Sequence, residues 1–336
     1  MHALKTFWIL AAAVVVGLFT SIGCNRQEDR VLVRISHTHT ETHPDHIGLL
    51  AFKKYVEEHL GDKFEIKIFS NAALGANEKV LKEVQKGKIQ FLTVSSANME
   101  IYDKIYGVFS IPYLFSSEST YEQFISSPKV ICELGQQASS VGLRPLVAFT
   151  AGTRNFYSKN PIRSVTDLNG KRLRIQDGPT NVKLVEAFGV GAVPLPFGEV
   201  YNALQQGTID GAENNELALI DQGHGEICKF YSYDGHQMCP DIFVASEKFF
   251  ASLTKDEQKV FEQAALEAQK TEFATWHEAI AKAKEDAAKM GVEFIQVDVN
   301  EFRNKIMALH EEILKSTPEI REIYREAAAF DKENSR

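Results

Sequence analysis

Alternating apolar and polar residues predict that the folded chain begins with two strands separated by a helix. The segments VLVRISH, residues 31–37, and FEIKIF, residues 64–69, alternate as half-buried strands do. Between them, HPDHIGLLAFKKYVEEHLG predicts a helix with Pro44 in its first turn and Gly61 at its end. The fold is therefore expected to start with a β-α-β unit.

Strands and helices continue to alternate through the middle of the chain. In chain order the pattern predicts helix NEKVLKEVQKG, strands FLTVS, LRPLVAF and KRLRIQ, helix TNVKLVEAFG and the helical EVYNALQQG. Strands that alternate with helices imply parallel sheets in an α/β fold.

The last third of the chain changes to one long helical pattern. It opens with a capping box, with Thr254 at the N-cap and Glu257 three residues later, and it stops at Gly291. About 35 residues at 1.5 Å each give a helix of about 50 Å, which is long for a compact domain. We expect this helix to lie along or bridge two lobes that are joined by crossing strands.

Residues 1–24 have the pattern of an export signal. An apolar run, residues 7–19, follows Lys5 and is about 20 Å long as a helix, less than the roughly 30 Å of a bilayer core. The segment TSIGC ends at Cys24 and resembles a bacterial lipobox, in which the cysteine becomes the lipidated N-terminus. Ser21 stands where leucine is usual, so secretion without lipidation is the alternative. Either route places the mature protein in the periplasm or at the cell surface.

Composition and charge narrow the class of protein. The chain has 336 residues, 44% hydrophobic and 24% charged, which is typical of a globular protein long enough for two domains. A formal charge of −8 argues against nucleic-acid binding, which depends on a basic surface. An anionic partner would need a local basic pocket.

The cysteines leave two interpretations open. Cys132, Cys228 and Cys239 follow the export signal, and Cys228 with Cys239 is the pair close enough in sequence to suggest a disulfide. The alternative is three small buried side chains. The motifs C-x-x-C, H-E-x-x-H, G-x-S-x-G and the P-loop are missing from the sequence, so several enzyme signatures are absent.

Four histidines, His37, His39, His43 and His46, lie close together at the end of the first predicted strand. They suggest a zinc or other transition-metal site. Their spacing straddles a strand end and a helix start, with Pro44 between them, which favours a polar loop that faces a cleft. Surface histidines without a role are the third interpretation.

Two arginines are candidates for an anion site. Arg154 follows a predicted strand, and Arg174 lies between two apolar residues of the strand KRLRIQ, so it points to the opposite face from them. A planar guanidinium binds a carboxylate through two parallel hydrogen bonds. A solvent-facing Arg174 is the alternative. Phe197 would supply an apolar wall or belong to the core.

The loop TIDGAENNE concentrates hydrogen-bonding side chains between two structured segments. Asp210, Glu213 and Glu216 would serve a hydrolase if two of them were held across a glycosidic bond, or they shape a turn. The adjacent amides of Asn214 and Asn215 are suited to clasp a ligand.

Several long motifs together resemble one transport family. The segments GKRLRIQ, VGAVPLPFGEVYNALQQGTIDGAENN and PDIFVASEKFFASLTKDEQKVFEQAA closely resemble DctP-type solute-binding proteins of tripartite ATP-independent periplasmic (TRAP) transporters. HPDHIGLLAFKKYVEEHLG, NAALGANEKVLKEVQKGKIQFLTVSSA and FSIPYLF match the family's N-terminal pattern. The resemblance implies a binding protein and not an enzyme, without a metal or other cofactor, that closes on an organic acid and docks on a membrane permease.

The resemblance also implies a fold and a division of the chain. The fold is type II periplasmic-binding-protein-like, with two α/β lobes around a cleft and a long C-terminal helix that spans both. Lobe I comprises residues 31–151 and 240–279, and lobe II comprises residues 152–239 and 280–330.

Roles for single residues follow from the same resemblance. Arg174 falls on the ligand-carboxylate arginine, Arg154 on a second arginine, Asn214 on a ligand-binding amide and Phe197 on the aromatic of P-x-P-F. On the other side of the cleft the implied residues are Glu78, Ser95, Ser96, Asn98 and His37.

Details of the motifs narrow the ligand. The second asparagine, Asn215, and GHQMCPD with His236 look like members that bind uronates or aldonates. A polyhydroxylated acid needs one carboxylate clamp and several neutral donors and acceptors. Residues 216–219 depart from the run expected after ENN, so a C4-dicarboxylate or another carboxylate is the alternative within the family. Outside it, the alternative is a zinc-capturing lipoprotein that uses the four histidines.

Overall fold

The computed structural model describes residues 30–334, with the side chains of residues 137–139 left out, and within that range it forms two β-sheets flanked by helices. The strands, β1 to β11 in chain order, are Val31–Ser36, Phe64–Phe69, Phe91–Ser95, Leu143–Phe149, Arg154–Ser158, Arg172–Ile175, Gly191–Pro194, Gly211–Asn214, Phe230–Gln237, Asp241–Ser246 and Glu293–Gln296.

Helices pack on both sheets and make up the last part of the chain. The α-helices, α1 to α13 in chain order, are Pro44–Leu60, Asn77–Gln85, Ser96–Met99, Glu118–Ile125, Pro128–Ala138, Pro179–Ala187, Val200–Gln206, Leu217–Asp221, Glu247–Ser252, Lys255–Lys289, Val299–Ile306, Ala308–Ser316 and Arg321–Asn334.

The first sheet has the strand order β2-β1-β3-β10-β4. Strand β1 is parallel to β2 and β3, so the β-α-β start predicted from alternation is present. Strand β10 is antiparallel to β3 and β4. The expectation of parallel sheets therefore holds only for part of this sheet, because β10 enters it directly from the other sheet and not through a crossover helix.

The second sheet has the strand order β11-β9-β5-β8-β6-β7 and is also mixed. Strand β6 is parallel to β7 and β8, whereas β5 is antiparallel to β8 and β9. The chain crosses between the sheets after β4 and after β9. All strands of each sheet fall inside the lobe ranges expected from the sequence, while the lobe boundaries themselves stay a prediction.

The long helix α10 runs along both sheets. It begins with the expected capping box, in which Thr254 and Glu257 bond reciprocally, and it ends at Lys289. Its Phe261 and Ala268 are buried against the core of the first sheet, and its Ala287 is buried against the core of the second. The helix therefore spans both lobes, as the sequence predicts.

The structure corrects the disulfide suggested for Cys228 and Cys239. Both thiols are free and buried. The two cysteines flank β9, an eight-residue strand about 26 Å long at 3.3 Å per residue, whereas a disulfide needs Cα atoms less than about 7 Å apart. Cys228 packs in the apolar core of the second sheet, and Cys239 contacts Ser96.

Within residues 30–334 no helix is both long enough and apolar enough to cross a membrane. The predicted signal segment, residues 1–24, and its Cys24 lie outside the described residues.

Candidate functional site

A cavity of about 240 Å³ lies between the two sheets. Its wall on the side of the first sheet includes His39, His43, Glu78, Ser95, Asn98 and Asp241. Its wall on the side of the second sheet includes Arg154, Arg174, Gln176, Phe197, Asn214 and Asn215. The structure thus brings together side chains that are up to about 200 residues apart in the chain.

Arg174 is a buried cation without a carboxylate partner among the described residues. It lies on β6 and is 3% exposed, and its Nε donates to the Leu195 carbonyl oxygen at 3.0 Å. The Phe197 ring centre lies 5.6 Å from the guanidinium carbon. Burial lowers the pKa of Arg174 to about 10, which still leaves it charged at neutral pH. A ligand carboxylate would supply the charge that this site lacks.

Arg154 also lines the cavity, but each of its three guanidinium nitrogens already donates a hydrogen bond. Its Nε donates to Glu213 Oε2 at 2.5 Å, its second guanidinium nitrogen donates to Asn214 Oδ1 at 2.9 Å, and its third donates to the Glu213 carbonyl oxygen. Burial by itself would raise the pKa of Glu213, but the charge of Arg154 lowers that pKa to about 2. Arg154 therefore fixes the position of Asn214 and carries no uncompensated charge.

The two asparagines differ in what they leave for a ligand. Asn214 Oδ1 accepts from Arg154 and from the Asn215 backbone N–H, while its amide NH₂ donates to none of the described residues. Asn215 donates to the Ala151 carbonyl oxygen and accepts from the Leu217 N–H. Asn214 is thus the amide with a free donor at the cavity, and Asn215 shapes the start of α8.

Polar side chains link the two walls directly. Ser95 Oγ donates to Gln176 Oε1 at 3.2 Å, and Asn98 Nδ2 donates to the Asp177 carbonyl oxygen at 3.1 Å. Sequence reasoning missed Gln176. The sequence feature that could have identified Gln176 is its position two residues after Arg174, because side chains two residues apart in an extended chain point to the same face.

Three residues expected in the binding site do not line the cavity. His37 is fully buried and bonds His46 at 2.9 Å. Ser96 is fully buried and contacts the thiol of Cys239 at 3.2 Å. His236 is fully buried and bonds Asp234 at 2.7 Å. The structure places these three side chains inside the wall and not on the lining of the cavity, since each is fully buried and contacts a neighbouring side chain.

The four clustered histidines separate into two pairs. His37 and His46 form the buried pair described above, whereas His39 and His43 stack with ring centres 3.9 Å apart and line the cavity. Burial alone would lower the pKa of His39, but its hydrogen bond to Asp241 raises that pKa to about 9. His39 and His43 are the part of the cluster that faces the cleft.

The acids of the loop TIDGAENNE are engaged in structural ion pairs. Asp210 pairs with Arg172 at the surface, and Glu213 pairs with Arg154 as described. Glu216 pairs with Lys284 at 3.2 Å. The carboxylates therefore organise the wall, and the amide of Asn214 faces the cavity.

Fold and site together define a two-lobed binding protein for an anionic solute. The chain belongs to the DctP family, bacterial extracellular solute-binding proteins of family 7, because residues 35–317 match the family model. This confirms the family resemblance found in the sequence.

Known proteins with similar sequence or structure support the same class. The uncharacterized protein YiiZ of Salmonella typhimurium is 34% identical over 271 residues, which are 80% of this chain and 83% of YiiZ. A TRAP periplasmic solute-binding protein from Anaerococcus prevotii, crystallised with α/β-D-glucuronate, is 38% identical with a TM-score of 0.89 and covers 91% of this chain and 99% of its own. One from Haemophilus influenzae with L-gulonate is 26% identical with a TM-score of 0.85, covering 89% and 99%.

Proposed function

We propose that the protein captures a sugar acid, a uronate or an aldonate, outside the cytoplasm and delivers it to a TRAP membrane permease. The observation that carries this proposal is the buried guanidinium of Arg174, which has no carboxylate partner in the described part of the chain and lies in a cavity whose other polar groups are mostly neutral amides and hydroxyls. One cation matches one carboxylate, and a polyhydroxylated ligand needs neutral donors and acceptors beside it. D-glucuronate and L-gulonate in the two similar structures support this ligand class.

The charge of the first-sheet wall favours a ligand with one carboxylate over a ligand with two. Glu78 lines that wall, whereas the carboxylate of Asp241 is already bonded to His39. The second carboxylate of a C4-dicarboxylate would meet the like charge of Glu78 there, which disfavours it relative to a hydroxylated chain or ring.

Closure of the two lobes on the ligand gives the mechanism. Arg174 and Asn214 lie on strands of the second sheet, while Ser95 ends β3 of the first sheet and Asn98 follows it in α3, so one ligand can contact all of them only when the cleft is closed. The ligand thereby stabilises the closed state, and exclusion of water strengthens its ion pair. The permease then recognises the closed form. Ligand recovered after binding should be chemically unchanged by NMR, since no bond is made or broken.

A thermal-shift panel tests the ligand class. We expect D-glucuronate, D-galacturonate or L-gulonate to stabilise the protein by about 2.7 kcal/mol at one hundred times its Kd. Glucose, which lacks the carboxylate, and succinate, which has two carboxylates and no hydroxyls, are the matched controls. The proposal fails if no sugar acid raises the melting temperature, or if succinate raises it more.

Lipid anchoring at Cys24 is a separate part of the proposal, supported by the lipobox-like TSIGC. Wild-type protein should fractionate with membranes and carry a lipid mass at its N-terminus. Cys24→Ser should release it into the soluble fraction. Soluble wild-type protein with an unmodified N-terminus would show secretion without lipidation.

A further inference from the structure

The imidazole of His39 reaches the cavity from the loop between β1 and α1. Its Nε2 lies 3.0 Å from Oδ2 of Asp241, the first residue of β10. Its Nδ1 is accessible and has no hydrogen-bond partner among the described residues. One ring nitrogen of His39 is therefore bound to the first-sheet wall, and the other is available to a ligand in the cavity.

The His39 ring is also fixed by a stacked neighbour. The ring of His43 lies nearly parallel to it, with 3.9 Å between the ring centres and 11° between the planes. His43 is itself held at the N-cap of α1, where its Nδ1 accepts from the Asp45 backbone N–H. A side chain that is already ordered loses little conformational entropy when a ligand binds, so His39 is preorganised for a contact.

The surroundings of His39 decide what its free nitrogen can bind. Burial alone would lower the pKa of His39, but the hydrogen bond to Asp241 and the charge of Asp45, 3.8 Å from Nε2, raise that pKa to about 9. At neutral pH Nδ1 therefore carries a proton and donates. The same two carboxylates offset the charge of the imidazolium, so a neutral hydroxyl oxygen is a better partner for Nδ1 than a second ligand carboxylate.

His39 and Arg174 contact the same aromatic ring from opposite walls of the cavity. The ring centre of Phe197 lies 5.9 Å from that of His39 and 5.6 Å from the guanidinium carbon of Arg174. A small ligand beside Phe197 can therefore reach both side chains at once.

We propose that His39 is a ligand-binding residue whose Nδ1 donates a hydrogen bond to a hydroxyl of the sugar acid, while Arg174 holds the carboxylate. This inference rests on the proposed function, since it takes the ligand to be a hydroxylated acid. It gives His39 the place on the first-sheet wall that the sequence suggested for His37, which is fully buried and bonded to His46.

Calorimetry of His39→Ala tests the contribution to affinity. The ligand is whichever of D-glucuronate, D-galacturonate and L-gulonate the wild type binds most tightly. Loss of a hydrogen bond from a charged donor should weaken the affinity of the folded variant at least about tenfold. The matched control, His59→Ala, removes an exposed imidazole of α1 and should bind as the wild type does.

Nitrogen NMR of protein labelled in its histidine rings separates ligand contact from a structural role. The Nδ1–H signal of His39, assigned by its absence in His39→Ala, should shift and exchange more slowly with water when the ligand is added. The ring signals of His59 should not change. If circular dichroism shows that His39→Ala does not fold, His39→Gln supplies both the assignment and the affinity.

Two kinds of failure can be told apart. Equal affinities for the wild type and the folded variant, or an unchanged His39 Nδ1 signal at saturation, would overturn this inference alone, because the wild type would still bind a sugar acid. If the wild type bound none of the three acids, both this inference and the proposed function would be wrong.

Discussion

Arg154 and Arg174 show how two buried residues of the same type acquire different tasks. Glu213 neutralises Arg154, whereas Arg174 has no carboxylate partner among the described residues. A buried charge without a partner is costly, and a cavity beside it offers a place for an external partner. The presence or absence of a neighbouring carboxylate, and not the arginine itself, therefore indicates which of the two arginines belongs to the anion site.

Removing the free guanidinium should abolish acid binding while the fold is kept. We expect Arg174→Ala to weaken the affinity for the best sugar acid by about 30-fold or more, because a buried ion pair worth about 2–5 kcal/mol is lost. Isothermal titration calorimetry measures this change. The control is Arg172→Ala, two residues away and exposed in a surface ion pair. Equal affinities for Arg174→Ala and the wild type would remove the clamp from the mechanism.

Breaking the buried ion pair should affect stability more than a surface pair does. Glu213→Gln should lower the free energy of unfolding by about 3–5 kcal/mol, since Arg154 is then left buried without its counter-charge. The matched control, Glu293→Gln, breaks the exposed pair with Arg163 and should cost less than about 1 kcal/mol. Denaturant unfolding compares the two. Similar losses would show that Arg154 and Glu213 are not coupled as described.

The ion pair between Arg154 and Glu213 should make the free energy of unfolding depend on pH, in a direction that follows from the pKa of Glu213. The pKa of Glu213 in the folded protein is about 2, lowered from an ordinary value of 4.5. Its stabilisation is therefore complete above about pH 5 and is lost as the pH falls from 4.5 towards 2. The stability gap between wild type and Glu213→Gln should narrow over that window in pH-dependent unfolding. A constant gap would contradict the lowered pKa.

At the scale of elements, the contact between α1 and α10 depends on a glycine. A Cβ atom at Gly48 would lie 2.8 Å from the Ala268 carbonyl oxygen and 3.0 Å from the Glu272 Cβ. Both neighbours are on α10. The two helix axes can therefore approach this closely only without a side chain at position 48.

Adding one methyl group should separate these helices. Gly48→Ala should destabilise the protein by about 1–3 kcal/mol through overpacking, although alanine favours a helix by about 1 kcal/mol. The matched control is Gly135→Ala in α5, where the new Cβ would lie 3.4 Å from Pro145 Cγ. That variant should be neutral or slightly stabilised. Thermal unfolding of both variants checks this, and the opposite order would refute the packing argument.

At the scale of the whole molecule, the cavity exists only because two sheets face each other. Ser95 bonds Gln176 across the cleft, and Asn98 bonds the Asp177 backbone. These contacts belong to a state in which the lobes touch. The segments that cross between the sheets after β4 and after β9, together with α10, connect the two lobes. A movement of one lobe against the other would bend the chain at these connections.

Ligand binding should shift the molecule towards the closed state. Small-angle scattering should show a smaller radius of gyration when a saturating sugar acid is added to the ligand-free protein, because the ligand contacts both lobes only in that state. Arg174→Ala under the same conditions should show no change. An unchanged radius in the wild type, at a concentration where calorimetry shows saturation, would contradict closure.

The sequence by itself determined the type of several elements and the family. Alternation predicted β1, α1 and β2, the capping box predicted the start of α10, and the segment GKRLRIQ placed Arg174 in the site. These features follow from local periodicity, from helix caps and from contiguous motifs, so the amino-acid sequence alone is sufficient to predict them.

Tertiary structure decided which groups meet, because pairing between distant segments leaves no local signal. The register of β5 with β8 puts Arg154 beside Glu213, so that of these two arginines Arg174 is the one without a carboxylate partner among the described residues. The length of β9 keeps Cys228 from Cys239. His37, Ser96 and His236 are buried and do not line the cavity. The fold places His39 within hydrogen-bond distance of Asp241, which is 202 residues away in the chain. Charge compensation and distance are properties of the folded chain, so only the structure could assign them.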